Sequence, residues 1–484
     1  MQRVRRHRPS DLLPALARVA LTVADVSEKS GWLTTPPWAL AAAAKASICF
    51  GNEFRRAGVT DQDVIEICAY YFNMFSAEVA SDPDLGVLEA DIGRVAYEQF
   101  PYQESMFEEV ARTRALLIDG LEEVPTKVIT KESLQALWGA TVEQFVGVGL
   151  LLHAVAQVNH GHFNFSLFEQ DDALDIFAEI PKEVITAVVE GHFACSTTAF
   201  QAMAAEPPPH RLLPETAFNP LLARPFIDMG GGDLLAPQPS LILRRVTPGG
   251  IYYDGQAAMD TAFTEDLGLL FENYIGRQSR SLPGVKVLPE IVYDRGMQKS
   301  IDWFLLFDNL TLLIEVKITR LPINAKAGTV ALPTMIKRTL GKMADQVQTT
   351  LRCLRDGTPE FAEIPRTQPF LAIAVTLEPY YMANSPLIRR HLTEPEIPLI
   401  VASAREFEML IAFGQAGDIP ELLTEITKDE DRSRWNLATA IAPKMAGIEP
   451  NPVLDHAFSQ YPWASAACDG AKQSRAQVAR QVPK

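Results

Sequence analysis

Cysteine is scarce in this chain, with five residues among 484. The five are odd in number and scattered, and no two of them have the C-x-x-C spacing; they are Cys49, Cys68, Cys195, Cys353 and Cys468. This pattern argues against a zinc site and fits buried thiols in a reducing compartment. We therefore expect a cytoplasmic protein.

Long hydrophobic runs are also absent. No stretch of about 18 apolar residues, the length that a transmembrane helix needs, is free of charges or helix breakers. The closest stretch, residues 145–158, is shorter and contains His153. The basic N-terminal segment MQRVRRHRPS is not followed by the apolar stretch of a secretory signal. We expect neither a membrane span nor secretion.

Positive charge is in short supply, since 44 Lys and Arg residues stand against 60 Asp and Glu residues, for a net charge of −16. This balance is unfavourable for a nucleic-acid-binding protein, whose affinity comes largely from neutralising phosphates. The segment 299–355 is different, because it has nine Lys or Arg residues and four acidic ones. A basic segment within an acidic chain is compatible with local nucleic-acid binding.

Length and composition predict a globular protein of about two or three domains. Apolar residues at helical spacing predict an all-α domain over residues 1–205, which we expect to act as an accessory or sensor domain. Residues 206–250 are rich in Pro and Gly and predict a connector. An α/β domain is predicted over 251–415, and an acidic helical extension with a mobile tail over 416–484.

The α/β region is organised around residues 300–317, SIDWFLLFDNLTLLIEVK. Two apolar, β-prone runs joined at Asp308-Asn309 predict a β-hairpin. A two-residue turn there, or a four-residue loop, makes the numbers of paired residues sum to 617. Asp302 then lies opposite Glu315. A three-residue loop would instead put Asp302 opposite Val316, on the wrong face.

Strand alternation places the side chains of Asp302, Glu315 and Lys317 on one face of this hairpin. Two carboxylates that face each other across a ladder are about 5 Å apart and repel, unless a cation lies between them. Oxygen ligands with open positions suit Mg²⁺, which also tends to bind phosphate. Lys317 could orient or deprotonate a metal-bound water. The pattern predicts metal-assisted phosphodiester hydrolysis.

Asp302, twelve intervening residues and then Glu315-Val316-Lys317 resemble the active-site hairpin of the PD-(D/E)XK, or restriction-endonuclease-like, nuclease superfamily. Ile301 stands where the written pattern has Pro. The resemblance implies a central mixed sheet flanked by helices. It also implies that Asp302 and Glu315, with the Val316 carbonyl, hold Mg²⁺, for which Mn²⁺ can substitute, and that Lys317 serves the attacking water.

Two helices that flank the hairpin extend the resemblance. A helix predicted over 256–281 contains FENY, which resembles the superfamily helix that supplies a third carboxylate, and Glu272 is the matching position. Glu265 and Glu290 are the other acidic residues nearby. The helix predicted over 336–355 carries Gln346, which the resemblance places at the site, with Gln348 as its rival.

Basic residues after the hairpin are the predicted nucleic-acid contacts: Arg320, Lys326, Lys337, Arg338 and Lys342. DNA is the substrate that the resemblance favours, and a restriction or phage-defence effector is one context that it suggests. The helical N-terminal region is a candidate surface for homodimerisation or for a protein partner. Two alternatives remain open, a catalytically silent nucleic-acid-binding or assembly protein and a helical hydrolase centred on residues 153–162.

Overall fold

The computed structural model describes residues 2–23, 35–55, 58–72, 88–103, 105–169, 180–208, 211, 217–321, 326 and 331–464. It is a mixed α/β structure in which a helical N-terminal region precedes the main sheet. The predicted tail beyond residue 464 and, after the hairpin, residues 322–325 and 327–330 lie outside the described residues.

The described helices follow one another along the whole chain. They are α1 (Pro9–Val23), α2 (Pro37–Phe50), α3 (Asp61–Phe72), α4 (Leu88–Gln99), α5 (Met106–Arg114), α6 (Gly120–Glu123), α7 (Lys131–Trp138), α8 (Val142–Val158), α9 (Lys182–Val188), α10 (Thr197–Met203), α11 (Ser240–Arg244), α12 (Pro248–Arg280), α13 (Ala331–Asp356), α14 (Pro386–Arg389), α15 (Ala404–Phe413), α16 (Ile419–Lys428), α17 (Leu437–Ile441) and α18 (Pro452–Ser459).

The described strands form three sheets. They are β1 (His162–Asn164), β2 (Ala194–Cys195), β3 (Phe226–Gly230), β4 (Asp233–Leu235), β5 (Lys286–Pro289), β6 (Val292–Tyr293), β7 (Gln298–Lys299), β8 (Trp303–Leu306), β9 (Thr311–Lys317), β10 (Phe370–Thr376) and β11 (Leu399–Ser403). The sheet orders are β1-β4-β3-β2, β11-β10-β9-β8-β5 and β6-β7.

The five-stranded sheet is mixed. Strands β5, β8 and β9 pair antiparallel, whereas β9, β10 and β11 pair parallel. In the β8–β9 pair Trp303 lies opposite Ile314, so the predicted hairpin and its register, in which paired numbers sum to 617, are confirmed. Residues of β9 from Thr311 to Val316 are all buried, as expected for a central strand covered on both faces.

Helices cover both faces of this sheet because alternate residues of the strands are apolar on each side. On one face Trp303 and Ile314 share a hydrophobic cluster with Phe271 of α12. On the other face Phe304 and Leu313 share a cluster with α13. The two layers of helix exclude water from the centre of the sheet and leave its strand ends as the accessible positions.

Several predicted elements differ from the structure in extent or type. Helix α12 begins earlier than predicted and contains one non-helical residue, Asp260, with φ 55°. The apolar residues at 285–292 predict one strand, but the structure divides this segment between β5 and β6. The apolar run at 241–246 indicates a short strand, and this prediction is wrong, since Ser240–Arg244 is helical. A short run of buried apolar residues fits either state, and periodicity alone cannot distinguish them.

The predicted division between an all-α domain and a connector is not observed. Residues 1–205 contribute β1 and β2 to the four-stranded sheet, and the predicted connector contributes β3 and β4. A single hydrophobic cluster extends from Val110 to Ala464, across both predicted boundaries at 205 and 251. Helices α5, α7, α8 and α9 therefore share a core with the main sheet.

One described stretch, Lys131–Val158, is long and apolar enough by length and composition alone to span a membrane. It consists of α7 and α8, and 61% of its most apolar window is buried inside the protein. The two helices are separated at Gly139, which ends α7 with a positive φ of 67°. A largely buried apolar helix of this kind is also typical of the core of a globular protein.

Four of the five cysteines lie in the described part of the chain, and all four are free thiols. Cys68 is buried, and this burial raises the pKa of its thiol to about 12. The other three, Cys49, Cys195 and Cys353, are half-buried. The prediction of buried thiols is therefore confirmed in part.

Candidate active site

The open end of the β8–β9 hairpin brings two carboxylates together. Asp302 directly precedes β8, and its Oδ2 accepts a hydrogen bond of 2.6 Å from the Val316 backbone N–H of β9. The N–H and C=O of one strand residue point to the same side, so the Val316 carbonyl also faces the side of Asp302. Asp302 and Glu315 are both buried, with 7% and 3% of their surface exposed.

Glu315 has one paired and one unpaired oxygen. Its Oε1 lies 2.6 Å from Nζ of Lys317. Its Oε2 is buried and has no hydrogen-bond partner among the described residues. A buried polar atom without a partner costs about 1–3 kcal/mol and is rare in native proteins. This oxygen is therefore a position at which a cation would be stabilising.

The electrostatics of the two carboxylates follow from burial and from their proximity. Burial, then the charge of Asp302, raises the pKa of Glu315 to about 8. Burial also raises the pKa of Asp302, against the opposing influence of Lys317. Burial lowers the pKa of Lys317, but Glu315 and Asp302 outweigh it, and the net pKa is raised. The lysine is thus held as a cation beside two acids that resist ionising together.

Glu272, the predicted third carboxylate, lies on α12 close to this pair. Burial, Asp302 and Glu290 raise its pKa to about 7. Its backbone carbonyl accepts a hydrogen bond of 2.9 Å from Nε1 of Trp303 in β8. One turn later Gly276 allows this contact, since a Cβ there would lie 2.3 Å from the Trp303 ring. The close approach of helix to strand places Glu272 near the hairpin.

The predicted alternatives to Glu272 have different positions. Glu265 is exposed and forms an ion pair of 3.2 Å with Lys127, so it points away from the carboxylate pair. Glu290 lines the same pocket as Asp302 and forms an ion pair of 2.8 Å with Lys299. Two acidic residues, Glu272 and Glu290, therefore flank the pair.

An open pocket of about 570 Å³ lies over the carboxylates. One wall is a stripe on α13 at helical spacing: Lys342, Asp345, Gln346 and Thr349. The sequence analysis found Lys342 and Gln346 but not the other two, although the i, i+3, i+4, i+7 spacing places all four on one face. The β6–β7 hairpin also lines the pocket, with Met297, Gln298 and Lys299, as does Glu290 just before β6.

Gln346 and Gln348 have separate environments. The Gln346 amide Nε2 donates to the backbone carbonyls of Lys299 and Ser300, at 2.6 and 3.0 Å, and its side chain lines the pocket. Gln348 instead exchanges hydrogen bonds with Glu396. Gln346 thus ties α13 to the segment that leads into Asp302, and the rival position lies outside the site.

Comparisons with known proteins return no match. No family model, no curated protein and no solved structure matches this chain. The superfamily resemblance therefore depends on the hairpin and the residues around it, and its functional content belongs to a proposal.

Arg320 and Lys326, two predicted phosphate contacts, are taken up by structural interactions. Arg320 is nine-tenths buried, pairs with Glu378 and donates to the Gly249 carbonyl at 2.9 Å. Lys326 forms an ion pair of 2.8 Å with the same Glu378. Neither residue lines the pocket. Both side chains are therefore engaged in contacts within the protein, with Glu378 and, for Arg320, the Gly249 carbonyl at the start of α12, and not at the pocket.

The three predicted contacts on α13 are exposed. Lys342 lines the pocket, and Arg338 lies one turn before it on the same side of the helix. Lys337 is exposed beside His391. Burial lowers the pKa of His391 most, and the charges of Arg390 and then Lys337 lower it further. These residues remain available to a polyanion, with Lys342 nearest to the carboxylates.

The residues present fit a divalent cation in part. Asp302 and Glu315 supply hard oxygen ligands, one of them a buried oxygen that lacks a partner among the described residues. No group of three or more His, Cys, Asp or Glu side chains within the described ranges converges closely enough to hold a metal alone. Mg²⁺ usually keeps several waters and needs only one or two carboxylates. The donor set is therefore compatible with Mg²⁺.

One of the histidines in residues 153–162, His162, is paired with Asp233, a contact that the sequence did not predict. The Nδ1 atom of His162 lies 2.9 Å from Asp233, which is brought close by pairing of β1 with β4. His153 is half-buried, and its desolvation lowers its pKa. The 71-residue separation of His162 and Asp233 explains why no local pattern indicated the pair.

Proposed function

We propose that this protein is a Mg²⁺-dependent nuclease that hydrolyses phosphodiester bonds, with DNA as the substrate that the superfamily resemblance favours. The observation that carries the proposal is the pair Asp302 and Glu315 in an open pocket. One Glu315 oxygen is bound to Lys317, and the other is buried without a partner in the described structure. Burying two acids side by side is costly unless a cation joins them.

We also infer a restriction-endonuclease-like core for the sheet region. Three features support this inference: a mixed five-stranded sheet, the active-site hairpin β8–β9 inside it, and helices α12 and α13 on its two faces. The order of helix, strand, hairpin, helix and strand along the chain is the order that the resemblance implies. The shared core with the N-terminal helices is an addition to that plan.

Asp302, Glu315 and the Val316 carbonyl would hold the ion, and Glu272 on α12 is the candidate third carboxylate. A bound Mg²⁺ supplies charge neutralisation at a phosphate and a water of lowered pKa. Lys317 keeps its proton on Nζ, because the two acids raise its pKa. It would therefore orient the phosphate and stabilise negative charge there rather than act as a base. Gln346 holds the backbone before Asp302 in place.

Plasmid cleavage tests the proposal. Supercoiled plasmid incubated with Mg²⁺ should be nicked or linearised, and a chelator should stop the reaction. Lys317→Ala should lower the rate by about 100-fold or more, which is typical of losing a charge-stabilising group, while nucleic-acid affinity changes little. The matched control is Lys286→Ala, which removes an exposed lysine paired with Glu363.

Two other outcomes are informative. Binding without cleavage of plasmid or single-stranded RNA would favour the catalytically silent nucleic-acid-binding protein. If the protein neither binds nor cleaves these substrates, the proposal is wrong. A Lys317→Ala protein that cuts at the wild-type rate would show that another group serves the reaction.

A further inference from the structure

The β6–β7 hairpin at the rim of the pocket has an unusual turn. Three consecutive residues, Asp294, Arg295 and Gly296, have positive φ angles of 49°, 57° and 90°. Glycine adopts such angles freely, but the two preceding residues adopt them at an energetic cost. The turn presents Met297, which lines the pocket and is 69% exposed.

The base of this hairpin is firmly attached to the protein. Tyr293 is buried, and its ring packs edge-to-face on Phe361 at 5.4 Å. The Ser300 N–H donates to the Ile291 carbonyl at 2.9 Å, and the Ile291 N–H donates to the Ser300 Oγ at 2.8 Å. Because Ser300 leads directly into Asp302, the position of the hairpin is coupled to that of the carboxylates.

Met297 differs chemically from the rest of the pocket wall. The other lining residues are charged or polar, as a site for phosphates and a cation requires. A single exposed apolar residue is unremarkable on a protein surface, but this one is on the rim of a charged pocket. Within a nucleic acid, the apolar surface that lies next to a phosphate is the face of a base. Methionine is among the side chains that insert between base steps.

We propose that Met297 is a wedge that enters the base stack beside the phosphate to be cut. The preferred substrate would then be DNA whose stacking is opened at the cleavage position. This inference rests on the proposed nuclease function and adds a substrate-positioning residue to it. The braced hairpin supplies the rigidity that a wedge needs, since opening one base step costs a few kcal/mol.

Comparing cleavage of paired and unpaired DNA tests whether Met297 opens the base stack or contributes equally to cleavage of any DNA. Met297→Ser should lower kcat/KM on fully paired circular duplex by about tenfold, equivalent to about 1.4 kcal/mol. On circular single-stranded DNA, where no paired stack must be opened, the loss should stay within about twofold. Met297→Leu, which keeps an apolar tip, should retain wild-type rates on both substrates. Val158→Ser is the matched control, since Val158 is 71% exposed and does not line the pocket.

Each remaining outcome counts against the wedge. Equal losses on paired and single-stranded DNA would mean that Met297 acts through the pocket and not through the stack. Wild-type rates for Met297→Ser on paired DNA would show that the residue has no role, while the nuclease proposal would stand. Absence of cleavage by the wild-type protein on every DNA and RNA tested would remove both proposals together.

Discussion

At the scale of single residues, the main feature is an acid pair that is unfavourable without a cation. Glu315 and Glu272 have pKa values raised to about 8 and about 7 from an ordinary 4.5, and burial is the largest cause for each. Between pH 4.5 and about pH 8 the folded protein therefore binds more protons than the unfolded chain. Its free energy of unfolding must therefore fall as pH rises through that interval.

The first prediction is this pH dependence. In chelator-containing buffer, the free energy of unfolding in urea should be lower at about pH 8.5 than at about pH 6 by at least about 1 kcal/mol, since one pKa unit corresponds to about 1.4 kcal/mol. Glu315→Gln should reduce the difference, because the amide does not titrate. Adding Mg²⁺ should stabilise the protein more at the higher pH, where the ligands are deprotonated.

Glu265→Gln is the matched control for this measurement. It removes an exposed carboxylate from α12, the helix that carries Glu272, and should leave the pH dependence unchanged. A free energy of unfolding that rises between these two pH values would contradict the raised pKa values. It would also remove the argument that the site needs a cation.

The second prediction concerns Asp302. In metal-free buffer at about pH 8.5, where Glu315 is ionised, Asp302→Asn should raise the free energy of unfolding by about 0.2–1 kcal/mol, the size of repulsion between facing carboxylates. The amide oxygen can still accept the hydrogen bond from the Val316 N–H. The same variant should lose cleavage activity and the stabilisation by Mg²⁺, because it removes a charged ligand.

Asp302→Ala provides the comparison. It relieves the same repulsion but leaves the buried Val316 N–H without its acceptor, at a cost of about 1–3 kcal/mol. Alanine should therefore destabilise where asparagine stabilises. If Asp302→Asn also lowers stability in the absence of metal, the two carboxylates are not opposed and the central argument is wrong.

At the scale of elements, α12 organises both the site and the N-terminal region. Its Asp266 accepts hydrogen bonds from three successive backbone N–H groups, those of residues 127–129, at 2.8, 2.6 and 2.9 Å. Burial raises the pKa of Asp266, but these donors outweigh it and hold the pKa below its usual value. One carboxylate thus fixes the loop before α7 on the helix that carries Glu272.

The third prediction follows from this contact. Asp266→Ala should lower the free energy of unfolding by about 2–3 kcal/mol, because three backbone donors lose their acceptor. The contribution is present above the ordinary pKa of 3.8 and should disappear as pH falls through the lowered value. Urea denaturation at neutral and acidic pH measures both effects.

The neighbouring Glu265→Ala is the control for Asp266→Ala. Its exposed ion pair with Lys127 should contribute no more than about 1 kcal/mol. Equal effects of the two substitutions would show that the three backbone hydrogen bonds do not hold the loop. Glu272 would then depend on other contacts for its position.

At the scale of the whole molecule, a buried polar network joins the N-terminal helices to the sheet region. The Arg112 side chain of α5 donates two hydrogen bonds to Glu408 of α15, at 2.5 and 2.7 Å. Tyr274 of α12 donates to the same carboxylate at 2.6 Å, and Gln278 donates to the Tyr274 hydroxyl. Asn451, just before α18, completes the network through Gln278.

The fourth prediction is that this network makes unfolding cooperative. Glu408→Gln should destabilise the protein by about 1–3 kcal/mol, because it weakens the buried hydrogen bonds of Arg112 and leaves Glu109 as the charged partner of that side chain. The protein should still unfold in one transition, observed by calorimetry and by circular dichroism. Arg355→Ala, which breaks an exposed pair with Glu396, is the control and should cost no more than about 1 kcal/mol.

Two separate transitions, only one of them shifted by Glu408→Gln, would contradict this prediction. That result would restore the division at residues 205 and 251 that composition indicated. The single hydrophobic cluster from Val110 to Ala464 argues for one transition, since a shared core is lost as a unit.

The sequence by itself determined the hairpin, its register and the convergence of Asp302, Glu315 and Lys317, because strand alternation and a two-residue turn are local rules. It also indicated the helices on which Glu272 and Gln346 lie. In each case the repeat of a strand or of a helix fixes which side chains lie on the same face, and this repeat can be read from the sequence.

Only the tertiary structure decided the rest of the site. Three features depend on how the helices pack against the sheet. They are the position of the β6–β7 hairpin at the pocket, the ion pair of Arg320 with Glu378 and the ion pair of Glu290 with Lys299. The same holds for the strands that cross the predicted domain boundary. Contacts of this kind join residues that are far apart in the chain. They form because packing the elements together buries apolar surface, and a local sequence period cannot predict which elements pack together.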